Sequence, residues 1–151
     1  MGEGAPAGKA ERAHGLDLGA RGDTCGTTWS ITVRISTRRV TAVRGGRPAR
    51  SFTAVVGTPA TPTPLGRFFV QEIVELDRYH VGAPYALALS ARSEVLQEFA
   101  GGPGQIAIHG TNDVGGVLGS AASHGCVRLD TKAISWLAAR IGPGVPVTIT
   151  R

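Results

Sequence analysis

Ile31-Thr32-Val33-Arg34-Ile35-Ser36 alternates branched apolar residues with polar ones, and Arg39-Val40-Thr41-Ala42-Val43-Arg44-Gly45-Gly46 follows after two residues. A period of two places Ile31, Val33 and Ile35 on one face and Thr32, Arg34 and Ser36 on the other, which predicts a half-buried strand. Arg39 to Arg44 reads as a second strand. Gly45-Gly46 supplies the positive φ angles of a tight hairpin turn, and Ser51 to Gly57 answers as the returning strand. The pattern therefore begins as a β protein.

Working outward, Thr58-Pro59-Ala60-Thr61-Pro62-Thr63-Pro64-Leu65-Gly66 carries three prolines, which fix φ and remove donors, so it reads as a stiff loop. Phe68 to Glu75 is a further strand. Tyr85, Leu87 and Leu89 alternate with Ala86 and Ala88, giving a strand with one large-residue face and one small-residue face. Ser93 to Ala100 reads as a short helix ended by Gly101-Gly102-Pro103. Ile106-Ala107-Ile108 is a brief strand that delivers His109 to its rim, and Thr111 to Ala122 is a Gly- and Ser-rich loop. Ile134, Leu137, Ala138 and Ile141 recur at helical spacing, with Asp130 as cap and Gly142-Pro143 as stop. Val145, Val147 and Ile149 close the chain as a last strand. No internal repeat is present. The expected fold class is mainly β, a sandwich or partly open barrel with two short helices.

The 151 residues fit one domain, and no run approaches the roughly 20 apolar residues of a membrane span. The 22 Gly and 9 Pro agree with many turns between short strands. Formal net charge is +5, carried mostly by arginine, and the stretch from Thr24 to Gln71 holds no Asp or Glu but seven Arg. Such a chain favours anionic partners. No recognition helix, zinc finger or aromatic RNA-reading pair accompanies the charge, so nucleic acid is not expected, whereas an anionic wall polymer is compatible. A high-GC, actinobacterium-like source that writes Arg at solvated positions accounts for the charge equally well. Residues 1–26 have no periodic pattern and read as a disordered or linker-like segment, with a domain over 27–151. That segment contains no apolar core of a signal peptide.

The chemistry concentrates at the far end of the chain. His109 precedes the Gly-rich loop, and Ser123-His124-Gly125-Cys126 follows it, in a chain with only 2 Cys and 4 His. A thiol attacks as thiolate, and an imidazole is the common means of generating one near neutral pH. The order histidine, loop, cysteine excludes the papain arrangement. Other readings stay open on the residues alone. Cys126 and His109 fit as buried structural groups. A zinc site would need His80 and His109 beside His124 and Cys126. A Cys25–Cys126 disulfide would stop thiolate chemistry altogether.

Taken together, Val56-Gly57, Thr63-Pro64-Leu65-Gly66-Arg67-Phe68, Ile106-Ala107-Ile108-His109-Gly110-Thr111 and Ser123-His124-Gly125-Cys126-Val127-Arg128-Leu129 resemble the L,D-transpeptidase catalytic domain, the YkuD family, from about Ile31 to Ile149. Leu65 departs from the small polar residue usual there. The resemblance implies that Cys126 is the nucleophile and His109 its base, with the Gly110 carbonyl orienting the imidazole. It implies an oxyanion hole from backbone N–H groups of Gly125 and Cys126, joined by that of His124. The His124 side chain would support the cysteine loop more than move protons, and Ser123 would pin the turn. Arg128 would reach a substrate carboxylate or serve a structural pairing, while Thr111 and Asn112 would line the pocket.

The implied reaction is acyl transfer between peptidoglycan tetrapeptide stems as donor and acceptor. The diaminopimelate–D-alanine bond is cleaved through a thioester, and a direct diaminopimelate–diaminopimelate cross-link forms. With water as acceptor the enzyme is an L,D-carboxypeptidase; without turnover, the fold is a wall-binding module; with other substrates, it is a cysteine peptidase. The resemblance further implies no cofactor and no metal, covalent inhibition by β-lactams of the carbapenem class, a monomer, and an extracytoplasmic place in the cell wall or medium.

Overall fold

The computed structural model describes residues 28–95, 104–111 and 116–151. The expected linker over residues 1–26 and most of the expected helix over residues 93–100 lie outside the described residues. The strands are β1 (Trp29–Arg34), β2 (Arg39–Arg44), β3 (Arg47–Thr53), β4 (Val56–Gly57), β5 (Gly66–Glu75), β6 (Tyr85–Arg92), β7 (Gln105–His109), β8 (Ala121–Ser123), β9 (Val127–Arg128) and β10 (Pro146–Thr150), and the helix α1 spans Thr131–Ala138. Eight of the strands form one sheet in the order β3-β2-β1-β10-β5-β6-β7-β9, and β4 pairs with β8 alone. The sheet curls into an open half-barrel, so of the two expected architectures the partly open barrel describes it.

The period-two reading explains the core. Ile31 and Val33 of β1, Val40 and Ala42 of β2, Leu87 and Leu89 of β6, Ile106 and Ile108 of β7, and Val147 and Ile149 of β10 are all buried. Their neighbours in sequence face outward. Helix α1 covers the core with Ala133, Ile134 and Leu137. Its Trp136 meets Trp29 edge-on at 5.8 Å between ring centroids and Phe52 at 5.6 Å. Burying these apolar faces supplies the main driving force, of order 25 cal/mol per Å² removed from water.

Three elements differ from expectation in their bounds. The returning strand starts at Arg47, directly after the glycine turn, and breaks at residues 54–55 instead of running on to Gly57. Val55 explains the break: it leaves β2 to exchange both backbone hydrogen bonds with Arg128, at 2.9 Å each. The loop expected over residues 111–122 ends in strand β8, whose Ala121 and Ser123 pair in parallel with Val56 and Gly57. Helix α1 starts where expected, with the Asp130 carboxylate accepting from the Ala133 N–H at 2.7 Å. It ends at Ala138, and a tighter turn through Arg140 carries Ile141 into the core.

Candidate active site

Parallel pairing of β7 with β9 brings the far end of the chain to His109. Ile108 is registered with Val127, and His109 with Arg128, while the Leu129 N–H donates to the His109 carbonyl at 2.9 Å. Partners across a sheet point the same way. Ile108 and Val127 therefore enter the core, and His109 and Arg128 emerge on the opposite face. Cys126 lies one residue before β9, level with Ala107, and the Ala107 N–H points at its sulfur. One strand over (about 4.8 Å) and two residues along (about 6.6 Å) sets the Cys126 and His109 Cα atoms about 8 Å apart, a span two inward-leaning side chains can close. The register thus leaves Cys126, His109 and Arg128 on one face of β7 and β9. The small-residue side of β6 is its floor: Ala86 is registered with His109, and Ala88 with Ala107.

His109 is held by two neighbours. Its Nδ1 lies 2.6 Å from the Gly110 carbonyl oxygen. The ring also packs against Gly82, at φ +86°, where an added Cβ would stand 2.8 Å from Nδ1. Only glycine combines that backbone angle with that approach.

The cysteine loop is held from beneath. Ser123, 1% exposed, donates from Oγ to the Cys126 carbonyl at 2.5 Å and accepts from the Gly125 N–H at 3.1 Å. Its own carbonyl accepts from the Thr58 N–H and from Thr61 Oγ1, both at 3.0 Å. Thr63 Oγ1 donates to the Gly125 carbonyl at 2.8 Å and accepts from the Gly57 N–H at 3.0 Å. The Pro-rich loop is therefore the cradle of Cys126. Gly125 sits at φ +123°, and a Cβ there would stand 3.0 Å from the Ile106 side chain.

Burial dominates the electrostatics. It holds His109 below the ordinary imidazole range; the Gly110 carbonyl opposes this, and the charge of Arg128 adds to it. Burial also pushes the Cys126 thiol up, against the Ala107 N–H and Arg128, which both favour thiolate. Both shifts favour the uncharged forms, a thiol and a neutral imidazole. Arg128 is itself buried, 8% exposed, with desolvation lowering its pKa and Cys126 opposing that shift.

The residues named from the sequence are thus distributed unevenly. His109, Gly110, Ser123, Gly125, Cys126 and Arg128 come together. His124 is exposed beside the loop, and Thr111 is half-buried one residue beyond Gly110. Asn112 and Cys25 lie outside the described residues. Cys126 forms no disulfide among them. His80 is exposed, and no group of three or more His, Cys, Asp or Glu side chains assembles a metal site among the described residues. The sequence reading missed Gly82, the Ala107 N–H and the three threonines of the cradle. Only the Thr63-Pro64 pair carried a signal, through the family motif.

Comparison with known proteins identifies the family of the chain. Residues 28–149 match the model of the L,D-transpeptidase catalytic domain family, YkuD. The chain is 31% identical over 126 residues to the L,D-transpeptidase candidate YkuD of Bacillus subtilis (strain 168), covering 82% of this chain and 66% of that protein. The fold resembles L,D-transpeptidase 3 from Mycobacterium tuberculosis in complex with a faropenem-derived adduct, with a TM-score of 0.64 and 17% identity, covering 82% of this chain and 60% of that one. It also resembles the L,D-transpeptidase LdtMt1 in complex with imipenem, with a TM-score of 0.60 and 23% identity, covering 82% and 59%. The chain thus spans somewhat under two thirds of the length of the relatives it matches. From its motif, its register and these likenesses, the chain belongs to the L,D-transpeptidase catalytic domain family, a family of enzymes.

Proposed function

We propose that this domain is a cysteine acyltransferase that acts on peptidoglycan stem peptides outside the cytoplasm. The observation that carries the reading is the register of β7 with β9: Cys126, His109 and Arg128 share the small-residue face of the sheet, with Nδ1 of His109 2.6 Å from the Gly110 carbonyl oxygen. A carbonyl only accepts, so the Gly110 oxygen fixes the proton on Nδ1 and leaves the Nε2 lone pair as base.

In the first half-reaction, the thiol proton of Cys126 passes to Nε2 of His109 as sulfur attacks the carbonyl between the L-centre of diaminopimelate and D-alanine. The oxyanion is met by the Cys126 N–H, on the same residue as the attacking sulfur. The Gly125 N–H already donates to Ser123, so its part is to hold the loop. Collapse breaks the C–N bond, the D-alanine amine takes the proton from His109, and a thioester remains. In the second half-reaction, the side-chain amine of an acceptor diaminopimelate gives a proton to His109 and attacks the thioester. The sulfur leaves and recovers that proton. Water in place of the amine gives L,D-carboxypeptidase activity.

In this scheme Arg128 stabilises the nascent thiolate and keeps the imidazole neutral, since both effects follow from one positive charge. Its burial favours this role over that of an exposed fork for a substrate carboxylate. A β-lactam of the carbapenem class, opened by the same sulfur, would remain as an adduct. The direct test supplies a diaminopimelate-containing tetrapeptide and measures D-alanine release and dimer formation by mass. Both should occur with the native chain and vanish with Cys126→Ala; product formation by that variant would refute the proposal.

A further inference from the structure

The outward face of the first five strands in the sheet has a composition that acyl transfer does not use. Register aligns Ser51 of β3, Thr41 of β2, Thr32 of β1, Thr148 of β10 and Arg67 of β5 in one row across the strands. The adjacent row is Thr53, Arg39, Arg34 and Thr150. Four hydroxyls and a guanidinium thus run beside two hydroxyls and two guanidiniums. The Thr41 and Ser51 hydroxyls are already linked at 2.8 Å. A cavity of about 350 Å³ opens on this face between Thr32, Arg34, Thr37, Arg39 and Thr41.

The opposed arginines are the informative pair. Arg34 and Arg39 are direct cross-strand partners, both exposed. Like charges directly opposite each other on a sheet destabilise it. No acidic residue occurs between Thr24 and Gln71 or within β10 to separate them. An oxyanion between the two guanidiniums would turn the repulsion into two charge-assisted hydrogen-bonding pairs.

We propose that this face binds a linear polyol-phosphate polymer. One phosphodiester sits on the Arg34–Arg39 pair, and the hydroxyl row alongside receives the polyol and the next phosphate. Three features select this occupant. No aromatic ring lines the cavity at the arginine pair for nucleobases to stack on, which disfavours single-stranded nucleic acid there. The Arg34–Arg39 pair lies on β1 and β2, which are paired on both edges, so a peptide strand could add only along β3, one strand away from the pair. Hydroxyls flank the guanidinium pair on both sides, as Thr53 and Thr150, and fill the neighbouring row, which matches a chain that carries hydroxyls between its phosphates. The row of five crosses four strand spacings, about 19 Å, which accommodates several repeat units. The face lies on β3, β2, β1, β10 and β5, whereas Cys126 adjoins β9 at the other end of the strand order, so the proposal stands apart from the acyl-transfer reading.

The test measures binding of fluorescently labelled synthetic poly(glycerol phosphate) by anisotropy across a salt titration, with polyglutamate and a single-stranded DNA oligonucleotide of matched charge as comparators. The native chain should bind the polyol phosphate most tightly, with affinity falling as salt rises. Arg34→Gln/Arg39→Gln should weaken binding at least tenfold and reduce the log–log salt slope by about 1 to 2. β-lactam acylation should be unchanged in that variant, and its melting temperature should not fall, because the cross-strand repulsion is removed. Thr32→Val/Thr41→Val, which leaves the charge intact, should weaken binding without changing the slope. Retention of native affinity in the double arginine variant would overturn the proposal. So would binding of polyglutamate or DNA as tight as that of the polyol phosphate.

Discussion

Nδ1 of His109 stands 2.6 Å from the carbonyl oxygen of its neighbour Gly110, and the ring packs against Gly82 close to that same nitrogen. The imidazole therefore has one orientation and one tautomer. Gly82→Ala places a Cβ 2.8 Å from Nδ1, at a φ of +86° that disfavours it further. A shift of about 1 Å in a reacting group can cost about 10²-fold in rate. We expect Gly82→Ala to slow thioester formation by about that factor, while Cys126 remains fully titratable by a thiol reagent in denaturant.

Replacing the base itself should be less absolute than replacing the nucleophile. Loss of a positioned general base costs about 10²- to 10⁴-fold. His109→Ala should acylate slowly, whereas Cys126→Ala should not acylate at all. Stopped-flow acylation with a chromogenic β-lactam separates the two cases. A His109→Ala rate equal to that of the native chain would remove the imidazole from the mechanism.

The opposed shifts of the two groups make stability bell-shaped in pH. His109 has its folded pKa below its unfolded value, so its contribution is present above about pH 6.5 and is lost as pH falls through the folded value. Cys126 has its folded pKa above its unfolded value, so its contribution is present below about pH 8.5 and is lost as pH rises through the folded value. Melting temperatures across pH should show both limbs. His109→Gln should flatten the acid limb and Cys126→Ser the alkaline one.

Ser123 holds both the Gly125 N–H and the Cys126 carbonyl through one buried hydroxyl. Ser123→Ala leaves both groups without that partner in a buried turn, a loss of about 1 to 3 kcal/mol. Denaturant unfolding should report that loss. Acylation should fall as well, because the Cys126 N–H moves with the turn.

Much of this was legible in the sequence, and the reason is local. Alternation in Ile31–Val33 and Leu87–Leu89 sets faces without reference to any partner, and Asp130 caps its helix three residues away. The short strands β4, β8 and β9 have two or three residues each, too few for a period. Their positions come from distant partners: Val55 for Arg128, and Thr61 and Thr63 for the cysteine loop. For the same reason the burial of Arg128 and the packing of Gly82 on His109 left no mark in the sequence. Cys126 and His109 were visible because the reactive residue types are few, and their spacing carries a motif that Gly82 lacks.

The most direct test of the central claim is intact-mass analysis of the full chain after exposure to imipenem, with peptide mapping of the modified residue. The account predicts one covalent adduct on Cys126, preserved in Cys25→Ser and absent in Cys126→Ser. An adduct on Cys25, or an unmodified Cys126 in a chain shown to be folded, would contradict it.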